Sequence, residues 1–225
     1  MRIRKQGIIF FLFGWISMVS TVIQAQDSDF GNWWIYFGNV KINERFNWHH
    51  EVQYRNYNFI GDTEQLLLRT GIGYNLTANN NNLLMGYGFI HSEPYISGTE
   101  NKTKTTEHRI YQQFITRQAF GRTSLQHRYR FEQRFIGDDV RMRLRYFLGL
   151  NVALNQKAMM DKTLYLSAYN EIFINTKMEY FDRNRFYAGL GYRFNPLLRA
   201  ELGWLRQSLR ASFRDQANVI VFASF

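Results

Sequence analysis

Cysteine is absent from the 225 residues, which excludes disulfides, thiolate metal sites and cysteine nucleophiles. After residue 25 no apolar run reaches 18 residues, so no segment can cross a bilayer as a helix. Lysine is missing from strand-like interiors: once an N-terminal signal is set aside, Lys41, Lys102, Lys104, Lys157, Lys162 and Lys177 all fall in predicted turns, loops or strand ends. Aspartate is equally scarce there, with every Asp assigned to a loop or terminus. A solvent-facing surface would use both cations freely, so the pattern excludes an ordinary solvated face and points to confined pairing, for which the guanidinium fork suits carboxylates better than an ammonium.

What is present begins with an export signal. Arg2, Arg4 and Lys5 precede an apolar run from Ile8 to Val19, and Ala25 in "VIQAQ" is a cleavage point, so residues 1–25 read as a signal peptide and the mature chain begins at Gln26. The run is too short for a membrane-spanning helix, which needs roughly 20 residues. Removing those three cations lowers the formal excess of ten to seven. A basic exported chain can meet anionic lipid or acidic solutes. Nucleic acid is excluded as a partner by compartment.

Charged and apolar side chains alternate along most of the remainder. In "HRYRFEQRF" (127–135), Arg128, Arg130, Glu132 and Arg134 take every second position; only a strand sends the two sets to opposite faces. Eleven such segments are read: 31–41, 45–58, 64–76, 83–93, 107–119, 123–135, 140–154, 163–175, 185–194, 198–209 and 217–225, separated by turn signals such as "GD" at 61, "ANNNN" at 78 and "NP" at 195. With no linker or composition shift, residues 26–225 form one all-β domain. In 140–154, Val140, Met142, Leu144, Tyr146, Leu148, Leu150 and Val152 share one face and Arg141, Arg143 and Arg145 the other. That exceeds the ~9–11 residues of a tilted transmembrane strand.

Arginine in strand interiors, glutamate (Glu51, Glu107, Glu132, Glu171, Glu201) on the same face, and Trp33, Trp34 and Trp48 near strand ends together predict a transmembrane antiparallel β-barrel with its ionic face inside and an aromatic girdle at the interfaces. Single-chain bacterial barrels have even strand numbers, so the prediction is ten or twelve strands, with 26–41 the segment in question. A periplasmic C-terminus at Phe225 puts the tight connections near 43, 120 and 195 at the periplasmic end and the longer ones at 94–106, 176–184 and 210–216 outside.

"EHRIYQQF" at 107, "HRYRFEQRF" at 127, "RMRLRYFLGL" at 141, "AYNEIFIN" at 168 and "NRFYAGLGYRFN" at 184, in that order, resemble the outer-membrane β-barrel family catalogued as domain of unknown function 2490. The resemblance implies a barrel in the outer membrane of a Gram-negative bacterium, with Arg109, Arg128, Arg130, Glu132, Arg134, Asn170, Glu171 and Arg185 as family-pattern positions. It implies no reaction.

The main candidate site is the ionic face: Arg55, Arg69, Arg109, Arg117, Arg128, Arg130, Arg134, Arg141, Arg143, Arg145, Arg193 and Arg199 against the five glutamates, an excess of seven positive charges. Sequential strands place like charges side by side, which is costly unless glutamate, water or anions intervene. One reading is a channel for small anionic solutes. Its alternative is a plugged barrel, structural or accessory to another envelope protein. A lipid-modifying enzyme is third. His49 and Glu51 share the ionic face without a third ligand; His127 lies on the apolar face at an interfacial level; Ser92 points away from His91 and Glu93. No cofactor, metal or catalytic constellation is called for. Glu171 is a counter-charge for the arginines, and Gly189 and Gly191 on the inner face make room for bulky neighbours.

Overall fold

The computed structural model describes residues 30–78, 80–177 and 179–225; the expected export signal over residues 1–25 and the expected mature start at Gln26 lie outside the described residues. Eleven strands follow in chain order: β1 Gly31–Lys41, β2 Phe46–Asn56, β3 Thr63–Asn75, β4 Asn81–Ser92, β5 Thr105–Phe120, β6 Thr123–Ile136, β7 Asp139–Ala153, β8 Thr163–Asn175, β9 Phe181–Arg193, β10 Leu198–Ser208 and β11 Phe213–Ser224. At 11 to 16 residues they are two to three times the ~5–6 usual in soluble sheets.

Each strand pairs with its sequence neighbours, and the sheet closes into a barrel where β1 meets β11. The even total expected from the sequence is therefore corrected to eleven, and the wholly antiparallel sheet to a mixed one. Successive hairpins reverse the chain at every step, so an odd number leaves the first and last strands parallel. Trp33 stands opposite Asn218 and Ile35 opposite Ile220 in that parallel ladder. The seam is locked at its end by Lys41 N–H to Phe225 O (2.7 Å) and Phe225 N–H to Asn39 O (2.8 Å). Residues 31–41, whose place was open, are part of the wall.

Two hairpins have two-residue loops, at 121–122 and 137–138. In each the first central residue is a glycine with φ +56°, Gly121 and Gly137, while Arg122 and Asp138 keep ordinary negative φ. This is the II′ arrangement, whose twist matches that of the flanking strands. The expected loop asymmetry is only partly present. Strands β9 and β11 begin earlier than the periodicity indicates, which shortens their preceding connections to 176–180 and 209–212. The longest connection, 93–104, does lie at the end opposite Phe225, but the C-terminal end carries 154–162.

Alternation of burial follows alternation of sequence. Leu144, Leu148, Leu166, Leu190 and Leu202 are exposed on the outside of the wall, while Glu132, Arg145 and Glu171 on the other parity are buried. The interior divides into two sectors. Strands β5 to β8 contribute most of the charge, with Glu51 of β2, Arg69 of β3 and Arg185 of β9 also buried. Around the seam an apolar cluster of Trp33, Ile35, Tyr187, Leu205 and Ile220 forms, with Phe37, Tyr169 and Phe222 against it. This corrects two expectations. Trp33 is not in an interfacial girdle but inside, 2% exposed, and the inner face is not ionic throughout.

Inner-face glycines receive buried tyrosine rings. A Cβ on Gly86 would lie 2.4 Å from Tyr111 Cζ, and one on Gly191 2.2 Å from Tyr165 Cζ. Tyr165, fully buried, donates through its hydroxyl to Glu201 Oε1 at 2.9 Å. Gly191→Ala is therefore expected to displace the ring and cost about 1–3 kcal/mol, the penalty of overpacking, read as a lower urea midpoint of the refolded barrel; Gly61→Ala, with open space around a loop glycine, should lose no packing and costs only local backbone strain.

Candidate functional site

Strand register dictates where like charges crowd. Arg130 stands opposite Arg145, and Arg134 opposite both Arg141 and Arg109. Among these rows Glu132 stands opposite Arg143, and its carboxylate is the centre of the network. Arg143 donates to Glu132 Oε2 at 2.7 Å, Arg145 donates to Oε1, and Arg130 Nη1 lies 3.6 Å from Oε1. Glu132 is 0% exposed. Arg145 turns its other nitrogens to Glu171 (2.7 Å), which also accepts from Arg128 (2.7 Å). Arg143 continues to Asp182 Oδ2 at 2.7 Å. Asp182, Arg143, Glu132, Arg145, Glu171 and Arg128 thus form one chain of bonds across β6, β7, β8 and β9. A second group joins Glu107 to Arg109 and Arg134, and a third joins Glu51 to Arg69 (2.6 Å), Gln53 and, at 3.6 Å, His49.

Aromatic rings fill the spaces between cations. Phe173 has the guanidinium carbons of Arg145, Arg185 and Arg143 at 4.4, 4.8 and 5.1 Å from its centroid, and Arg130 sits 4.5 Å over Tyr111. A ring face accepts a cation without introducing a second charge. Arg130 also makes two donations to Gln113 Oε1 at 2.9 and 2.6 Å.

The candidate arginines do not behave alike. Arg69, Arg109, Arg128, Arg130, Arg134, Arg143 and Arg145 join the carboxylates, as do Glu51, Glu107, Glu132 and Glu171. Arg199 pairs with Glu201 at 3.1 Å and stacks on Phe222 near the C-terminal end. Arg193 reaches Asp161 and the carbonyl of Met159 in the 154–162 connection. Three assignments are corrected. Arg117 is exposed and donates to Gln126, outside any ion pair among the described residues. Arg141 is exposed at the strand end, bound to Asp139. Both carry the inward parity but sit beyond the enclosed length. Arg55 is buried yet has no carboxylate within 4 Å among the described residues; it donates to Gln53 and stacks 3.7 Å over Trp33.

Sequence reasoning missed Asp182, assigned to a loop because β9 begins earlier than its clean alternation, and the glutamines Gln53, Gln113 and Gln207, which have the right parity but no charge to mark them. Arg185 was visible only through the family pattern; it is buried, bonded to Gln207 Oε1 at 2.9 Å. Histidine chemistry is limited. His91 bonds Glu93 at 3.1 Å, while Ser92 on the other face accepts from Gln65. His127 bonds the hydroxyl of Tyr146. Among the described residues no group of three or more His, Cys, Asp or Glu could hold a metal ion.

Removing one partner of a buried ion pair leaves an uncompensated charge and costs about 3–5 kcal/mol. Glu132→Gln, which removes the carboxylate shared by Arg143 and Arg145 and leaves them only Asp182 and Glu171, is expected to lower stability by that amount in urea titration, whereas Arg141→Gln, in an exposed pair, should change it by less than about 1 kcal/mol.

No curated protein and no solved structure matches the chain. A family comparison does: residues 30–218, most of the sequence and every strand up to the middle of β11, match the description "Protein of unknown function (DUF2490)". The ordered arginine and glutamate rows described above lie within that span, and the chain belongs to this family.

Proposed function

We propose that this chain spans the outer membrane of a Gram-negative bacterium as a closed, non-conducting barrel, a structural or accessory component of the envelope that presents its long-loop end to partners. The observation that carries the reading is the burial of the charges themselves. A water-filled pore leaves its charged lining accessible; here Arg130, Glu132, Arg143, Arg145 and Glu171 are shielded to within a few percent, and their network reaches between non-adjacent strands through Arg128 to Glu171 and Arg143 to Asp182. Guanidiniums engaged by carboxylates and rings act as a plug, and transfer of an anion between them would require breaking bonds that have no water to replace them. Passage of small anionic solutes, the other reading of the same arginines, would need a continuous wet path through this layer.

Membrane placement is supported by the outward belt of Leu, Ile, Met and Phe, by strand lengths above the ~9–11 residues needed to cross, and by described lysines confined to strand ends and loops. Phe46, Trp48 and Tyr74 lie near the C-terminal end, and Trp204 and Phe213 near the other, both close to Arg206. Such rings suit the interfacial levels. At the long-loop end, connections 57–62 and 93–104 are tied together: Lys102 binds Asp62 and the carbonyl of Thr63 and lies over Tyr57 and Tyr95. Loops held in this way offer a formed surface for recognition.

Purified protein in a planar bilayer should show no conductance steps, and fractionation should place it with outer-membrane lipid. Discrete anion-selective steps from the wild-type protein would instead establish a channel; steps that appear only after Glu132→Ala would agree with a plug that the substitution loosens.

A further inference from the structure

Arg55 and Arg185 are the two buried arginines for which no carboxylate lies within 4 Å among the described residues. They are 5% and 8% exposed and occupy the same place. Arg55 stacks 3.7 Å over the ring of Trp33 on β1, and Arg185, from β9, lies 4.9 Å from the same ring. The strands between them, β10 and β11, bring Gln207 to Arg185 and place Asn218 directly beside Trp33 in register, with Gln216 one inward step nearer the strand start.

The neighbouring carboxylates are already engaged. Glu64 binds Arg214 at 3.0 Å, Asp182 binds Arg143 and Arg183, and Glu171 binds Arg145 and Arg128. The two guanidiniums therefore stand in a shielded interior with glutamine oxygens and the rings of Trp33 and Phe173 as their direct partners, while Glu64 and Glu171 act on them only from beyond 4 Å. Coulombic repulsion between such groups is weakly screened there.

A second observation is independent of charge. Trp33 Nε1 and both amide atoms of Gln216 and of Asn218 are buried and have no hydrogen-bond partner among the described residues. An indole N–H can only donate, and a buried donor left unpaired costs about 1–3 kcal/mol. Three unsatisfied groups that can donate thus lie beside two guanidiniums that lack a carboxylate within 4 Å among the described residues.

We propose that this cluster is a binding site for a small oxyanion of the phosphate class. Two guanidiniums match a doubly charged tetrahedral group in charge and in donor geometry, and the indole and amide N–H groups supply donors that a chloride would leave partly unused. Every element of the site lies near the barrel end opposite Phe225: Trp33 is the third residue of β1, Gln216 the fourth of β11, Arg185 the fifth of β9, and Arg55 the last but one of β2. At that end Arg183 and Arg214 remain partly exposed, so an anion enters past cations from the long-loop side. The site does not rest on the barrel being non-conducting.

The test is calorimetric titration of the detergent-solubilised full barrel at constant ionic strength, with inorganic phosphate in one arm and a short-chain phosphatidic acid in the other. Saturable binding of one phosphate per barrel is expected, weakened at least ten-fold by Arg55→Gln and by Arg185→Gln and unchanged by Arg141→Gln. Arg55→Lys keeps the charge and separates loss of folding from loss of recognition; Trp33→Phe keeps the ring but removes the N–H, and should weaken binding several-fold. Binding in the phosphatidic acid arm alone would identify the phosphate as a lipid headgroup. No binding in either arm, or equal binding by wild type and the Arg55 and Arg185 variants, overturns the proposal.

Discussion

An arginine turned into a closed barrel gives up its water, and everything inside this wall is arranged around that loss. Desolvating a guanidinium costs several kcal/mol, and attraction to a carboxylate recovers it only when the geometry is good and the remaining N–H groups also find acceptors. Glu132 meets the condition for Arg143 and Arg145, and those two carry the bonding onward to Asp182 and Glu171. Gln113 and the faces of Tyr111 and Phe173 occupy the remaining sides. The inner surface is consequently packed in the sense of a core, although its contacts are ionic and aromatic where a soluble core would be aliphatic.

The ionic sector has an apolar counterpart at the seam. Where β1 meets β11 the partners are parallel, with slanted hydrogen bonds slightly weaker than those of an antiparallel pair. Ile35, Ile220, Leu205 and Tyr187 pack behind that ladder, so its burial of apolar surface stands in for the cross-strand ion pairs found on the opposite side. Between the two sectors lies Trp33, with Arg55 on its face and Arg185 beside it. There no carboxylate lies within 4 Å of either guanidinium among the described residues, which is the ground for the counter-ion proposed from outside the chain.

How much of this was legible in the sequence depended on contrast between the two faces of each strand. In β6 and β7 the contrast is nearly complete, and the parity of Arg130, Glu132, Arg143 and Arg145 could be assigned residue by residue. In "GNWWIYFGNV" both faces are apolar or aromatic, so nothing local distinguishes Trp33, which turns inward, from Trp34. Arg117 and Arg141 show a different limit. Alternation gives the side of the wall but not the distance from its rim, and these two project beyond the enclosed stretch. The β9 start was hidden because the pairing shifts between Phe173 and Ile174, which breaks the period of two and carries Asp182 inward.

The period-two pattern by itself determined that the chain forms long strands, which residues share a face, and that one face is built for ionic pairing, because side-chain direction in a strand follows from backbone geometry alone. Only the tertiary structure decided the number of strands in the closed wall, the parallel seam, which arginines pair with which carboxylates, and that Arg55 and Arg185 have none within 4 Å among the described residues. Those outcomes depend on strand register and on closure across the barrel, where residues far apart in sequence, such as Trp33 and Arg185, are brought into contact.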